Sequence, residues 1–116
     1  MRLNIRCHGI EPSEELNRQV MRRTGFGLRR FATHIATVTV RLSDSNGPRG
    51  GQDKHCRILV AIADGSLIAV EELDTDVFVA IAGAAERAGS AVGRYLNRIR
   101  RRDQYSIRGT NEAFRC

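Results

Sequence analysis

Five arginines fall within the ten positions of "GRYLNRIRRR", residues 93–102, with no acid among them, and Arg87 adds a sixth two helical turns before Arg94. A guanidinium is permanently charged, and its planar fork grips two phosphate oxygens at once. The chemistry such a run offers is therefore phosphate recognition rather than proton or group transfer. Residues 87–102 carry a charge of +6, which is also the net charge of the whole 116-residue chain. The remaining 13 basic residues are matched by 13 acidic ones, so the surplus is local. With a pI near 10.2, this points to a polyanionic partner, nucleic acid first and an anionic membrane surface second.

Other clusters carry weaker chemistry. Cys7-His8 and His55-Cys56 supply the ligand types of a zinc site, but neighbouring strand residues point to opposite faces and the doublets lack the usual spacer between ligands. The same geometry opposes a Cys-His nucleophile pair, which also lacks a third, orienting group. No metal, no cofactor and no catalysis are expected. Asp74 and Asp76 read as caps of the helix that follows them rather than as an acid–base pair. The loop "GPRGG", residues 47–51, has glycines that could cradle a phosphate and spells GxxG, but it lacks the Lys-Ser/Thr of a P-loop and joins two strands.

The elements that must position these groups are legible from periodicity. "RLNIRC" alternates Leu3, Ile5 and Cys7 with polar residues and predicts a strand. Ser13 suits an N-cap, and Leu16, Val20, Gly27 and Phe31 share one face of a helix expected over Ser13 to Phe31, with Gly25 and Gly27 weakening its second half. "ATVTVRL", "CRILVAIA" and "SLIAVEE" predict three more strands, the last two joined by a tight turn at Asp64-Gly65. From Thr75 to Arg101 the spacing of Ile81, Ala85, Ala88, Val92, Leu96 and Ile99 predicts a second helix. The order is β-α-β-β-β-α, an α+β domain whose four-stranded sheet takes both helices on one face, its first connection a right-handed parallel crossover. Residues 103–116, "DQYSIRGTNEAFRC", have no period and are expected to be a flexible tail.

Size and composition fit this reading. The chain suffices for one modest core, no run approaches the about 18 apolar residues that span a bilayer, and three cysteines at no familiar spacing suggest free thiols in a reducing, cytoplasmic setting. Aromatics make up 5% of residues and none lies on the expected strands, which argues against base stacking on the sheet.

At about 100° per residue, Arg87, Arg94, Arg98 and Arg101 fall on one ridge of the second helix, opposite its apolar stripe. A merely solvated face would interleave Glu with Arg, because like charges one turn apart repel by a few tenths of a kcal/mol. The first helix adds Arg18, Arg22, Arg23, Arg29 and Arg30, offset in part by Glu14 and Glu15. If the helices pack side by side, their outer ridges are expected to join into one basic surface suited to a nucleic acid backbone.

This order of elements, with "VTVRLSDSNGPRGGQDKHCRILV", "ELDTDVFVAIAGAAERAG", "SEELNRQVMRRTGFGLRRF" and the arginine-rich end, resembles the ribosome hibernation promoting factor family, also called ribosome-associated inhibitors, over about residues 1–102. The resemblance implies a ribosome-binding domain over 1–102. It also implies binding to small-subunit rRNA in the channel used by messenger and transfer RNA, and inhibition of translation by occlusion. By position it implies phosphate contacts from Arg22, Arg23, Arg87 and Arg94, with Lys54 and Arg57 flanking the third strand. The full set of expected RNA-binding residues adds Arg29, Arg30, Arg98, Arg101 and Arg102. The chain departs from the family at Ser90, where a base is frequent, and at Ala82, where an acid is. Its 14-residue tail is too short for the dimerisation domain of longer members, so a short form is expected, monomeric off the ribosome, with no membrane and no small-molecule substrate. The alternative is a general RNA- or DNA-binding protein without ribosome preference.

Overall fold

The computed structural model describes residues 1–44 and 54–115, and side chains as far as Arg102; the "GPRGG" loop and the side chains of the expected tail lie outside the described residues. The order of elements is the expected one: β1 (Arg2–His8), α1 (Glu14–Leu28), β2 (Ile35–Asp44), β3 (Lys54–Ile62), β4 (Leu67–Asp74) and α2 (Val77–Arg115). The sheet runs β1-β2-β3-β4, with β1 parallel to β2 and the other neighbours antiparallel.

Strand alternation sets the core. Val38, Val40 and Leu42 on β2 and Cys56, Ile58, Val60 and Ile62 on β3 are buried beneath the helices, joined by Leu16, Val20 and Leu28 of α1 and by Ala80, Ile81, Ala84, Ala85, Ala88 and Val92 of α2. Burying each of the larger aliphatic side chains of this set contributes about 1.5–3 kcal/mol. A register shift at Ala36 lets Ile35 and Val38, three positions apart, face the same core, so β2 begins one residue before the alternation predicted.

The caps are as the residue types predict. Ser13 Oγ accepts a hydrogen bond from the Leu16 amide at 3.0 Å, and Asp76 Oδ1 accepts one from the Phe78 amide at 2.9 Å, satisfying amides that the first turn of a helix leaves open. Asp74 Oδ1 accepts from the Asp76 amide at 3.0 Å and shapes the turn that leads into α2.

The largest differences from expectation are at the end of the first helix, at the hairpin and at the end of the second helix. The first helix stops at Leu28, and residues Arg29–His34 form a 3-10 helix that swings the chain towards β2. The β3–β4 hairpin is wider than a two-residue turn: Gly65 donates to the Ile62 carbonyl, Ile62 donates to the Ser66 carbonyl, and Gly65 has φ of 97°. That is a three-residue loop with a left-handed glycine, and Asp64 Oδ1 holds it by accepting from the Ser66 amide at 2.8 Å. The second helix does not end near Arg101. No proline or glycine falls between Gly93 and Gly109, each added residue of a formed helix gains a backbone hydrogen bond, and α2 continues to Arg115.

Tyr95 ties α2 to this hairpin. Its hydroxyl donates to Asp64 Oδ2 at 2.6 Å and also meets Ser66 Oγ. The Tyr95 hydroxyl, followed by the Ser66 amide, holds the Asp64 carboxyl below its ordinary value.

Candidate nucleic-acid interface

The helices meet along small residues. A Cβ on Gly89 would lie 2.6 Å from the Gly27 carbonyl oxygen, and one on Gly27 would lie 2.9 Å from that of Ala85. Phe31 packs over Gly93. Positions 85 and 89 of α2 therefore face α1, and position 93 faces the 3-10 helix that follows α1. Arg87 instead points to the sheet edge, where its Nε is 2.8 Å from Glu72 Oε2 of β4, and Glu72 itself lies over Gly83. Positions 87 and 89 differ by about 200° around the helix axis, so α1 and the arginine ridge stand on opposite flanks of α2.

This corrects the expectation of adjoining ridges. The helices do pack side by side on one sheet face, but the apolar stripe and the glycine seam together rotate the Arg87 ridge outwards over β4. Arg87 and Arg94 line a cleft of 680 Å³ with Glu71, Glu72, Glu86 and Ser90, so the charge there is mixed. Glu72 partly neutralises Arg87. Among the described residues no acid pairs with Arg94, Arg98, Arg101 or Arg102, all exposed.

On α1 the arrangement is more favourable for a polyanion. Arg22 and Arg23 of α1, and Arg29 and Arg30 of the 3-10 helix that continues it, are exposed and have no acidic partner among the described residues, whereas Arg18 is held by Glu15 at 3.1 Å. The Arg30 guanidinium lies 4.7 Å from the centre of the Phe31 ring, which is itself seated against α2. Arg30 is thereby placed at the junction of the two helices.

Two expected residues lie elsewhere. Lys54 is paired with Asp44 at 2.7 Å. Arg57 is on the sheet face turned away from the helices, with Nε 3.7 Å from Glu71 Oε1. The structure gathers the helix arginines into two rows and leaves these two residues outside them.

Phe26 was missed by sequence reasoning. It is 93% exposed, with Arg22 and Arg23 one turn before it and Arg29 and Arg30 one turn after. The signal was available: Phe26 lies off the face shared by Leu16, Val20 and Gly27. An aromatic ring left in water among four cations is suited to stack on an unpaired base while the arginines hold phosphates.

The cysteines do not join this surface. Cys7 and Cys56 turn towards the core, whereas His8 and His55 share the opposite face, so the two doublets do not converge. Burial, reinforced by the Glu72 charge, pushes the Cys56 thiol up to about 12, and burial also raises Cys7. Cys56 stays protonated and acts as a small apolar core residue. Among the described residues no helix is long and apolar enough to cross a membrane.

The fold and its arginine rows define a small basic α+β domain of β-α-β-β-β-α order. Solved structures share that fold. Over 82% of this chain and 99% of the other, it is similar to the N-terminal domain of Protein Y from Thermus thermophilus, with 23% identity and a TM-score of 0.66. A ribosomal subunit interface protein from Coxiella burnetii is similar over 84% of this chain and 99% of its own, with 13% identity and a TM-score of 0.70. No curated protein sequence matches the chain. Residues 3–100 match the family described as sigma 54 modulation protein / S30EA ribosomal protein, and the chain belongs to that family. The resemblance carried by the sequence segments is thus borne out.

Proposed function

We propose that this chain is a ribosome hibernation factor: it binds small-subunit rRNA through its helices and inhibits translation by occupying the path of messenger and transfer RNA. The observation that carries the reading is the set of exposed arginines on α1 and α2 that have no acidic partner among the described residues, in a chain of this family. Occlusion requires only a folded body held in place by phosphate contacts, so the mechanism needs neither catalysis nor cofactor. Residues 1–102 are the ribosome-binding unit, acting in the cytoplasm as a monomer until bound.

The test is co-sedimentation with small subunits, large subunits and intact ribosomes at two salt concentrations. Comigration with small subunits and intact ribosomes is expected. Log affinity should fall by about 0.7–0.9 per phosphate contact for each tenfold rise in salt, so about five contacts cost over two decades between about 50 and 200 mM. A protein that stays at the top of the gradient at both salts overturns the reading, and equal affinity for unrelated duplexes would make it a general nucleic-acid binder.

Phe26→Ala tests the stacking contact. It is expected to weaken ribosome binding by about 1–3 kcal/mol without changing the salt slope, because it removes a ring and no charge. Since Phe26 is exposed, its thermal midpoint should match the parent's. An unchanged affinity would remove Phe26 from the interface.

A further inference from the structure

The sheet face opposite the helices holds a second concentration of basic groups, which binding through the helices does not use. Strand alternation puts Arg6, Arg41 and Arg57 on that face, and the register sets them abreast: Arg6 opposite Arg41, and Arg41 opposite Arg57. The next row is His8, Ser43 and His55. These six residues line a groove of 280 Å³.

Neighbouring strands lie about 4.8 Å apart, so three guanidinium-bearing residues are stacked across about 10 Å of sheet. Like charges directly opposite one another destabilise a sheet, and a solvated face would avoid the arrangement or interleave acids. Among the described residues one acid answers, at the β4 side: Glu71 reaches His55 Nε2 at 3.0 Å and Arg57 Nε at 3.7 Å. The longer distance is an ion pair but not a hydrogen bond, and Arg57 Nε is buried with no hydrogen-bond partner. Among the described residues, Arg6 and Arg41 have no acidic partner. Ser43 Oγ, in the second row, is 3.5 Å from His55 Nδ1 and adds a neutral hydroxyl to the groove lining.

We propose that the groove formed by Arg6, Arg41, Arg57, Ser43 and His55 is a phosphate-binding site, separate from the helix face. Its volume lies just below the about 300–1,000 Å³ of pockets that enclose drug-sized ligands, and its basic lining suits phosphate groups. Those groups are either a free polyphosphate or the phosphodiesters of an RNA strand crossing the sheet. Arg6, Arg41 and Arg57 supply forked guanidinium donors along the groove, and Ser43 supplies a hydroxyl.

The experiment is a two-dimensional amide NMR titration of the full chain, once with inorganic pyrophosphate and once with a short single-stranded RNA, repeated on Arg6→Ser/Arg41→Ser. Saturable shifts at residues 6, 41, 43, 55 and 57 are expected, weakened at least about tenfold in the double variant. Arg41→Gln alone serves if the double variant loses its dispersed spectrum. Saturation by pyrophosphate identifies a free polyphosphate as the ligand, and saturation by RNA alone identifies the backbone. Absence of shifts on this face with both probes, or equal affinity in the folded variant, overturns the proposal. Because the readout is local to the sheet, it can succeed where ribosome co-sedimentation fails, and the reverse.

Discussion

Changing Arg87, Arg94 and Arg98 together to alanine is expected to abolish ribosome co-sedimentation at physiological salt while leaving the fold intact. All three side chains are exposed, none belongs to the core, and alanine is a better helix former than arginine. Removing like charges spaced one turn apart also relieves repulsion along α2. Each arginine withdrawn from a phosphate should lower the salt slope by about 0.7–0.9, so the triple variant forfeits about two to three units of slope along with its affinity. The three will not contribute equally. Arg87 spends part of its charge on Glu72, so Arg87→Ala alone should cost the least binding, and Arg94→Ala and Arg98→Ala more. A folded triple variant that sediments as the parent does would remove Arg87, Arg94 and Arg98 from the interface and leave the α1 arginines, with Arg101 and Arg102, to carry it.

The largest effect on stability is expected at the helix seam. In Gly89→Val, a Cβ already placed 2.6 Å from the Gly27 carbonyl oxygen is joined by two methyl groups. The obstacle is backbone, which cannot step aside as a side chain can, so α1 and α2 must separate. The cost should be about 3 kcal/mol, at the upper end for overpacking, read as a fall in the denaturation midpoint with little change in slope. Gly25→Ala is the control, because its Cβ would meet nothing within 4 Å. That substitution should stabilise the protein by about 0.5–1 kcal/mol through helix propensity. A Gly89→Val variant as stable as the parent would mean that the close approach of the helices is dispensable.

These two predictions divide along what could be read without a structure. The arginine run and its lack of acids are facts of the sequence, as are the alternation of Val38, Val40 and Leu42 and the capping roles of Ser13 and Asp76. Such features depend on residue type and near neighbours, with a period of two in strands and 3.6 in helices, so the order of elements and the sheet face of each strand residue follow from them. The role of Gly27 was not legible. In sequence it reads as a weak point of a helix, and only the carbonyl of Ala85 across the seam explains it.

The surface was legible as composition but not as geometry. A helical wheel shows that Arg87, Arg94, Arg98 and Arg101 share a ridge, but it does not say which flank of α2 meets α1. Gly89 and Gly93 decide that, by admitting α1 and the Phe31 ring of the 3-10 helix on their side, and Glu72 shows where the other flank points. Phe26 was legible as an aromatic off the apolar face with two arginines on either side, and the tertiary structure adds that no neighbour covers it.

The sequence by itself determined the fold class, the strand faces, the helix starts and the local excess of arginine on the second helix, because local periodicity and local charge suffice for each. Only the tertiary structure decided that the helix arginines form two rows, that Lys54 pairs with Asp44, and that Arg6, Arg41 and Arg57 stand abreast across three strands. Those outcomes depend on strand register and on which side of a helix its neighbour occupies, and both are set by contacts between residues far apart in the chain.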